Sequence, residues 1–169
     1  MQKKPYSSPW QEVQMKTAED ILKDKNREMV CISPGRTIRE AVHTMTDHKI
    51  GAILVKKEGK ILGIWTERDL LYNINLPGFN PDKELVGDHM TTSLHTTRHN
   101  APILKIKEMF LGLFIRHIIV EKDGEYIGLL SIGDVLRASL IDQDYRIKEL
   151  NAIASWEYYE NWGWDRKKR

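Results

Sequence analysis

Two short segments of this chain set a hydroxyl and a carboxylate three residues apart, each at the end of an apolar run. Gly63-Ile64-Trp65-Thr66-Glu67-Arg68-Asp69-Leu70-Leu71 returns, 65 residues later, as Gly128-Leu129-Leu130-Ser131-Ile132-Gly133-Asp134-Val135-Leu136. At a strand-to-helix junction this pattern offers backbone N–H groups, a hydroxyl and a carboxylate at the mouth of a crevice. A carboxylate so placed can accept hydrogen bonds from both hydroxyls of a ribose. The helix N-terminus and a nearby cation suit phosphate. The plainer reading is a helix cap: Thr or Ser at the N-cap with an acid three residues on is close to a capping box, worth about 1 kcal/mol. The second copy adds a cation, because Arg116-His117 precedes Ile118-Ile119-Val120. The first copy has Gly51-Ala52 at the matching positions, with His48 and Lys49 a little earlier. The second junction therefore has the stronger claim on an anionic ligand.

The elements that must position these residues repeat with them, and such a repeat governs the whole fold assignment. Lys57-Glu58-Gly59-Lys60 falls on Lys122-Asp123-Gly124-Glu125, and Ala52-Ile53-Leu54-Val55 on His117-Ile118-Ile119-Val120. The first unit reads as a strand over 28–32, a turn at Ser33-Pro34-Gly35, and a helix from Thr37 with apolar Ile38, Ala41, Val42 and Met45. A strand over 50–55, a hairpin at Glu58-Gly59, a strand over 61–65 and a helix from Thr66 complete it. Leu76-Pro77-Gly78-Phe79-Asn80-Pro81 breaks the pattern. The second unit repeats the order: strand near Leu94-His95-Thr96, helix over 101–113, strand over 118–120, hairpin at Asp123-Gly124, strand over 126–130, helix from Ser131. Leu136, Leu140, Ile147, Leu150 and Ala154 carry that last helix onward as an apolar stripe.

The expected fold class is α/β (α+β): two pseudo-symmetric β-α-β-β-α repeats packed through their sheets, with a long C-terminal helix. The expected divisions are an N-terminal arm and short helix over 1–24, the first repeat over 25–86, the second over 87–146, and an aromatic and basic extension over 147–169. Thr17 is expected to cap the short helix.

Composition narrows the function. A chain of 169 residues can bury a core if the halves pack together. The net charge of +2 is too small to argue for a nucleic-acid partner. Trp156, Tyr158, Tyr159, Trp162 and Trp164 beside Arg166-Lys167-Lys168-Arg169 could form a stacking patch for single strands, but packing on a second protomer is the simpler expectation. Cys31 is alone, so no intrachain disulfide forms, and no apolar run approaches the ~18 residues of a membrane span. With no signal-like N-terminus, a cytoplasmic protein is expected. His95 and His99 have a metal-like spacing but fall in a strand and its following loop, so no metal is expected. Ser131 has no evident orienting triad, and an enzyme is not expected.

The residues of the doubled junction, with Thr37-Ile38-Arg39-Glu40-Ala41, Ile50-Gly51-Ala52-Ile53-Leu54-Val55 and Arg116-His117-Ile118-Ile119-Val120, resemble a tandem pair of cystathionine β-synthase (CBS) domains, a stand-alone Bateman module. The resemblance covers about residues 17–145. It implies a regulatory module that binds an adenosine ligand (AMP, ADP, ATP, NAD or S-adenosylmethionine) and signals through a protein partner or a homodimer. It implies one site joining Ser131, Asp134 and Arg116 with the region of Val30, Ile50 and Gly51. It implies a pseudo-symmetric site joining Thr66 and Asp69 with the region of His95, Ile115 and Arg116. Two departures stand out. Ile119 and Leu54 occupy a place where the family often has proline, and Leu70-Leu71-Tyr72-Asn73 follows the first junction where relatives carry a further basic residue. The alternatives are a structural dimerisation module with a vestigial crevice, and a nucleic-acid binder using the C-terminal patch.

Overall fold

The computed structural model describes residues 15–162, and their side chains as far as 151 with the exception of 149. The arm over 1–14, Trp164, the terminal basic run and the side chains of Trp156, Tyr158, Tyr159 and Trp162 lie outside the described residues.

The chain runs α1 (Ala18–Lys25), β1 (Cys31–Ile32), α2 (Ile38–His48), β2 (Ala52–Lys57), β3 (Lys60–Thr66), α3 (Glu67–Asn73), α4 (Val86–His89), β4 (Thr96–Arg98), α5 (Ile103–Leu113), β5 (His117–Lys122), β6 (Glu125–Ser131) and α6 (Ile132–Trp162). Two three-stranded sheets form, in the orders β1-β2-β3 and β4-β5-β6. Their registers match across the repeat: Cys31 faces Leu54 in a parallel pair, and Thr96 faces Ile119. Both hairpins turn through two positive-φ residues, Glu58-Gly59 and Asp123-Gly124, as the right-handed strand twist favours. The first strand is shorter than expected, although Leu54 N–H still donates to the Val30 carbonyl at 3.2 Å.

Each repeat has its own core, and each core borrows a helix from the chain ahead of the other repeat. Ala18 and Ile21 of α1 are buried with Ile103, Ile106, Phe110, Ile118, Val120, Leu130 and Val135 of the second repeat. Backbone bonds fix that docking, from Ala18 N–H to the Ala101 carbonyl and from Ile103 N–H to the Lys16 carbonyl, both 2.9 Å. Reciprocally, Val86 of α4 is buried with Ile38, Ala41, Met45, Ile53, Val55 and Trp65 of the first. The short helix expected within an N-terminal arm is thus part of the second repeat's core. The sequence reading had no helix at α4, because it spans four residues, lacks a side-chain cap and buries one residue.

The repeated glycines admit these crossings. A Cβ on Gly63 would lie 2.6 Å from Met90 Sδ and 2.9 Å from the Thr91 carbonyl oxygen, and one on Gly128 would lie 2.5 Å from a Leu22 methyl. The faces of β2 and β5 turned away from these cores are buried as well, at Leu54 and Ile119. Side chains alternate across a strand, so these residues lie on the faces by which the repeats meet.

The two cores differ at one layer. Trp65 is fully buried, and its indole N–H donates to Asn73 Oδ1 at 3.1 Å. Asn73 Nδ2 lies 3.0 Å from His89 Nδ1, and His89 Nε2 lies 2.9 Å from Glu84. The second repeat has Leu130 and Ala138 at the positions of Trp65 and Asn73.

Candidate functional site

The junctions form where the last strand of each repeat runs directly into a helix. Thr66 N–H and Oγ1 both donate to Asp69 Oδ2 at 2.8 Å, and Asp69 N–H donates to Thr66 Oγ1 at 3.4 Å. Ser131 N–H and Oγ donate to Asp134 Oδ2 at 2.8 and 2.7 Å, and Asp134 N–H donates to Ser131 Oγ at 3.2 Å. Each junction is also tied to the residue before the middle strand. Glu67 N–H donates to the Gly51 carbonyl at 3.1 Å, and Ile132 N–H to the Arg116 carbonyl at 2.9 Å. Both are therefore true capping boxes. So are Thr17–Asp20 on α1 and Thr37–Glu40 on α2. What distinguishes the doubled pair is that the crevice in front of each is lined from both repeats.

Ser131 and Asp134 open on a crevice of about 770 Å³ that reaches across to the first repeat at Lys49, Ile50, Gly51 and Ala52. Its apolar wall includes Ile21, Leu129, Ala138 and Ile141, and its cations are Lys25, Arg27, Lys49 and Arg137. Val30 lines an adjoining chamber of about 610 Å³ that shares Lys25, Arg27, Ile50, Ala52 and Leu129 with it. Thr66 and Asp69 open on a smaller crevice of about 190 Å³, together with His95, Ile115, Arg116, Arg68 and Glu67. Gly51 and His117 line both crevices.

The sequence expectation put Arg116 beside Asp134. It put Arg116 in the Thr66 site as well; Arg116 lines that crevice and is absent from the lining of the Ser131 crevice. The cation on Asp134 is Lys25, whose ammonium donates to Asp134 Oδ2 at 2.8 Å and to the Leu129 carbonyl at 2.9 Å. The cause is the helix crossing, which delivers the C-terminal end of α1 to the second junction. Lys25 carried no sequence signal, since it lies 109 residues from its partner. Arg137 did carry one: it sits one helical turn beyond Asp134, the place where the first copy has Tyr72. Lys49 was legible as a cation near the middle strand of the first copy.

Charge around Asp134 is finely set. Burial opposes its ionisation, but the Lys25 ammonium and the Ser131 N–H and hydroxyl outweigh that and hold the carboxyl below its ordinary value. Across the β5–β6 ladder from Ser131 sits His117. Burial, then the charges of Arg116 and Lys25, push its imidazole down to about 4, so it is neutral near pH 7. Among the described residues no group of three or more His, Cys, Asp or Glu could hold a metal ion, His95 and His99 included. No helix among them is long and apolar enough to cross a membrane.

Comparison with known proteins agrees with this geometry. The CBS domain family model matches residues 18–76 and 86–141. The chain is 34% identical over 151 residues to the CBS domain-containing protein CBSX3, mitochondrial, of Arabidopsis thaliana, spanning 84% of this chain and 73% of that one. The crystal structure of the CBS-domain containing protein ATU1752 from Agrobacterium tumefaciens is 36% identical and superposes with a TM-score of 0.68 over 73% of this chain and 98% of its own. A CBS domain protein from Pyrobaculum aerophilum, solved in complex with AMP, is 23% identical with a TM-score of 0.62, over 70% of this chain and 89% of its own. With two copies of the domain in tandem and both junctions facing crevices between them, this chain belongs to the CBS domain family.

Proposed function

We propose that the chain is a regulatory module that binds an adenosine nucleotide between its two repeats and passes the signal on through a homodimer or a protein partner. The observation that carries this is the Ser131 crevice, where a ribose-type acceptor, an apolar wall and four cations converge. Asp134 and Ser131 hold the ribose, the base lies against Ile50, Gly51 and the adjoining chamber at Val30, and the cations take the phosphates. Thr66, Asp69, His95, Ile115 and Arg116 form the second, smaller site. The AMP bound by the Pyrobaculum aerophilum neighbour supports the adenosine class. The mechanism is binding rather than catalysis: a ligand bridging both repeats favours whichever arrangement it binds more tightly. Exposed Leu104, Leu111 and Leu113 on α5 and Leu136 and Leu140 on α6, with Phe114 at 84% exposure, support self-association through helices. A cytoplasmic location is proposed from the lone Cys31.

Calorimetric titration with AMP, ATP, NAD and S-adenosylmethionine tests this reading. Asp134→Ala should weaken nucleotide binding about 10- to 100-fold, the worth of hydrogen bonds to a charged group, while the protein stays folded. No heat from any of the four at millimolar concentration sinks it. A second reading, a structural module with a vestigial crevice, is favoured by the capping boxes of α1 and α2, which use the same bonds outside the crevices. On that reading Asp134→Ala lowers stability, by about 1 kcal/mol for the cap and further for the Lys25 ammonium left unpaired, and touches no affinity.

A further inference from the structure

The carboxylate that should receive a ribose in the larger crevice is already occupied by a side chain of the protein. All three donors on Asp134 (the Ser131 amide, the Ser131 hydroxyl and the Lys25 ammonium) converge on Oδ2. Oδ1 keeps its lone pairs free, but a ribose hydroxyl that also reaches Oδ2 does so only in the place of the ammonium. The pair is largely enclosed, with side-chain exposures of 23% for Lys25 and 17% for Asp134. Separating such a pair strands a poorly solvated charge unless another anion takes it.

The crevice itself holds one other carboxylate, and Glu28 lines the adjoining chamber with Lys25. The carboxylate within the crevice, Asp24, is paired with Lys16 at 2.6 Å. The remaining charged side chains there are Arg27, Lys49 and Arg137, all cations. His117 is held neutral. A phosphate brought by the ligand gives a displaced Lys25 a partner inside the crevice and at the same time relieves the repulsion among four cations. The first junction has no such occupant. Met90, which packs over Gly63, matches Leu22 over Gly128, so the position matching Lys25 is the uncharged Ser93 lining the Thr66 crevice, and the described hydrogen bonds to the Asp69 carboxylate come from Thr66.

We propose that Lys25 sets the ligand preference of the larger crevice: adenosine compounds that carry phosphate exchange themselves for Asp134 at this ammonium, whereas neutral nucleosides and net-cationic adenosine compounds bind more weakly. This rests on the nucleotide reading above and decides within it, favouring phosphorylated ligands over S-adenosylmethionine. The Thr66 crevice lacks the filter.

The test is calorimetry with adenosine, AMP, ATP and S-adenosylmethionine, carried out in an Asp69→Ala background to silence the smaller crevice, with and without Lys25→Met. With Lys25 present, AMP should bind at least about tenfold more tightly than adenosine, and S-adenosylmethionine, whose one carboxylate is outweighed by two cationic centres, should bind more weakly than AMP. Lys25→Met keeps the stem and removes the charge. It should tighten adenosine and weaken AMP and ATP, narrowing the preference at least about tenfold. Lys25→Gln, which still donates to the Leu129 carbonyl, should act in the same direction and decides the matter if the methionine variant melts early. An unchanged AMP-to-adenosine ratio overturns the role of Lys25 and leaves the nucleotide reading standing. No binding of any compound by any of the proteins overturns both.

Discussion

The junctions at Thr66–Asp69 and Ser131–Asp134 share their hydrogen bonds and differ in their neighbours. In each, an N–H and a hydroxyl converge on one carboxylate oxygen at 2.7–2.8 Å. Around Asp69 lies a crevice of about 190 Å³ in which Arg68 and Arg116 face Glu67 and the aspartate itself. Around Asp134 lies a crevice of about 770 Å³ with four cations, one of them bonded to the carboxylate. A capping box is thus a local device, satisfied within four residues, and it does not say whether a site exists. The site is made by what the opposite repeat and the crossing helix bring to it.

The asymmetry of the repeats can be probed first in their cores. Trp65→Ala should cost about 4 kcal/mol, since it opens a large cavity and strands Asn73 Oδ1. Leu130→Ala, its counterpart, should cost about 3 kcal/mol. Urea unfolding of the two variants checks the order, and equal losses would show that the Trp65–Asn73 bond is worth nothing net.

His117 gives the next effect, and only the second repeat has it, since Ala52 stands at the matching place. Its folded-state value is depressed from 6.5 to about 4. Protonation therefore favours the unfolded chain: stability is full above the unfolded value and falls as pH drops toward about 4. The loss between pH 7 and pH 4 should approach about 3 kcal/mol. Asp134, depressed below its own ordinary value, adds a loss of the same sign at lower pH. Melting temperatures across this range should fall less steeply in His117→Gln than in the parent, and an identical acid limb would remove His117 as the cause.

The repeated glycines separate the helix crossings. Gly63→Ala should destabilise by about 2 kcal/mol, because a Cβ there meets the Thr91 carbonyl as well as Met90. Gly128→Ala meets only the end of Leu22 and should cost less. Smallest of all is the cap itself: Thr66→Ala and Ser131→Ala should each lose about 1 kcal/mol of stability. Only Ser131→Ala should also weaken binding in the larger crevice, which a nucleotide titration of both variants would reveal.

Much of this molecule was legible along the chain. The repeat, the hairpins, the order of strands and helices and the two hydroxyl–aspartate junctions are local or periodic, so residue type and spacing carry them. The five residues expected around the smaller site do line one crevice. Ser131, Asp134, Ile50 and Gly51 line the other, with Val30 in the chamber beside it. The cation beside Asp134 was misassigned because Arg116 is near in sequence and Lys25 is not. The four-residue α4 left no periodic trace, although it closes the first core.

By itself, then, the sequence determined two matching caps on two matching units, because capping and alternation need only neighbours within one or two turns, and it favoured the second through Arg116. The tertiary structure decided which cations each cap faces. Each repeat completes its core with a helix from ahead of the other, and that exchange carries an ammonium to Asp134 while setting a methionine over Gly63. Which charges share a crevice depends on packing between segments about a hundred residues apart, and no spacing along the chain records it.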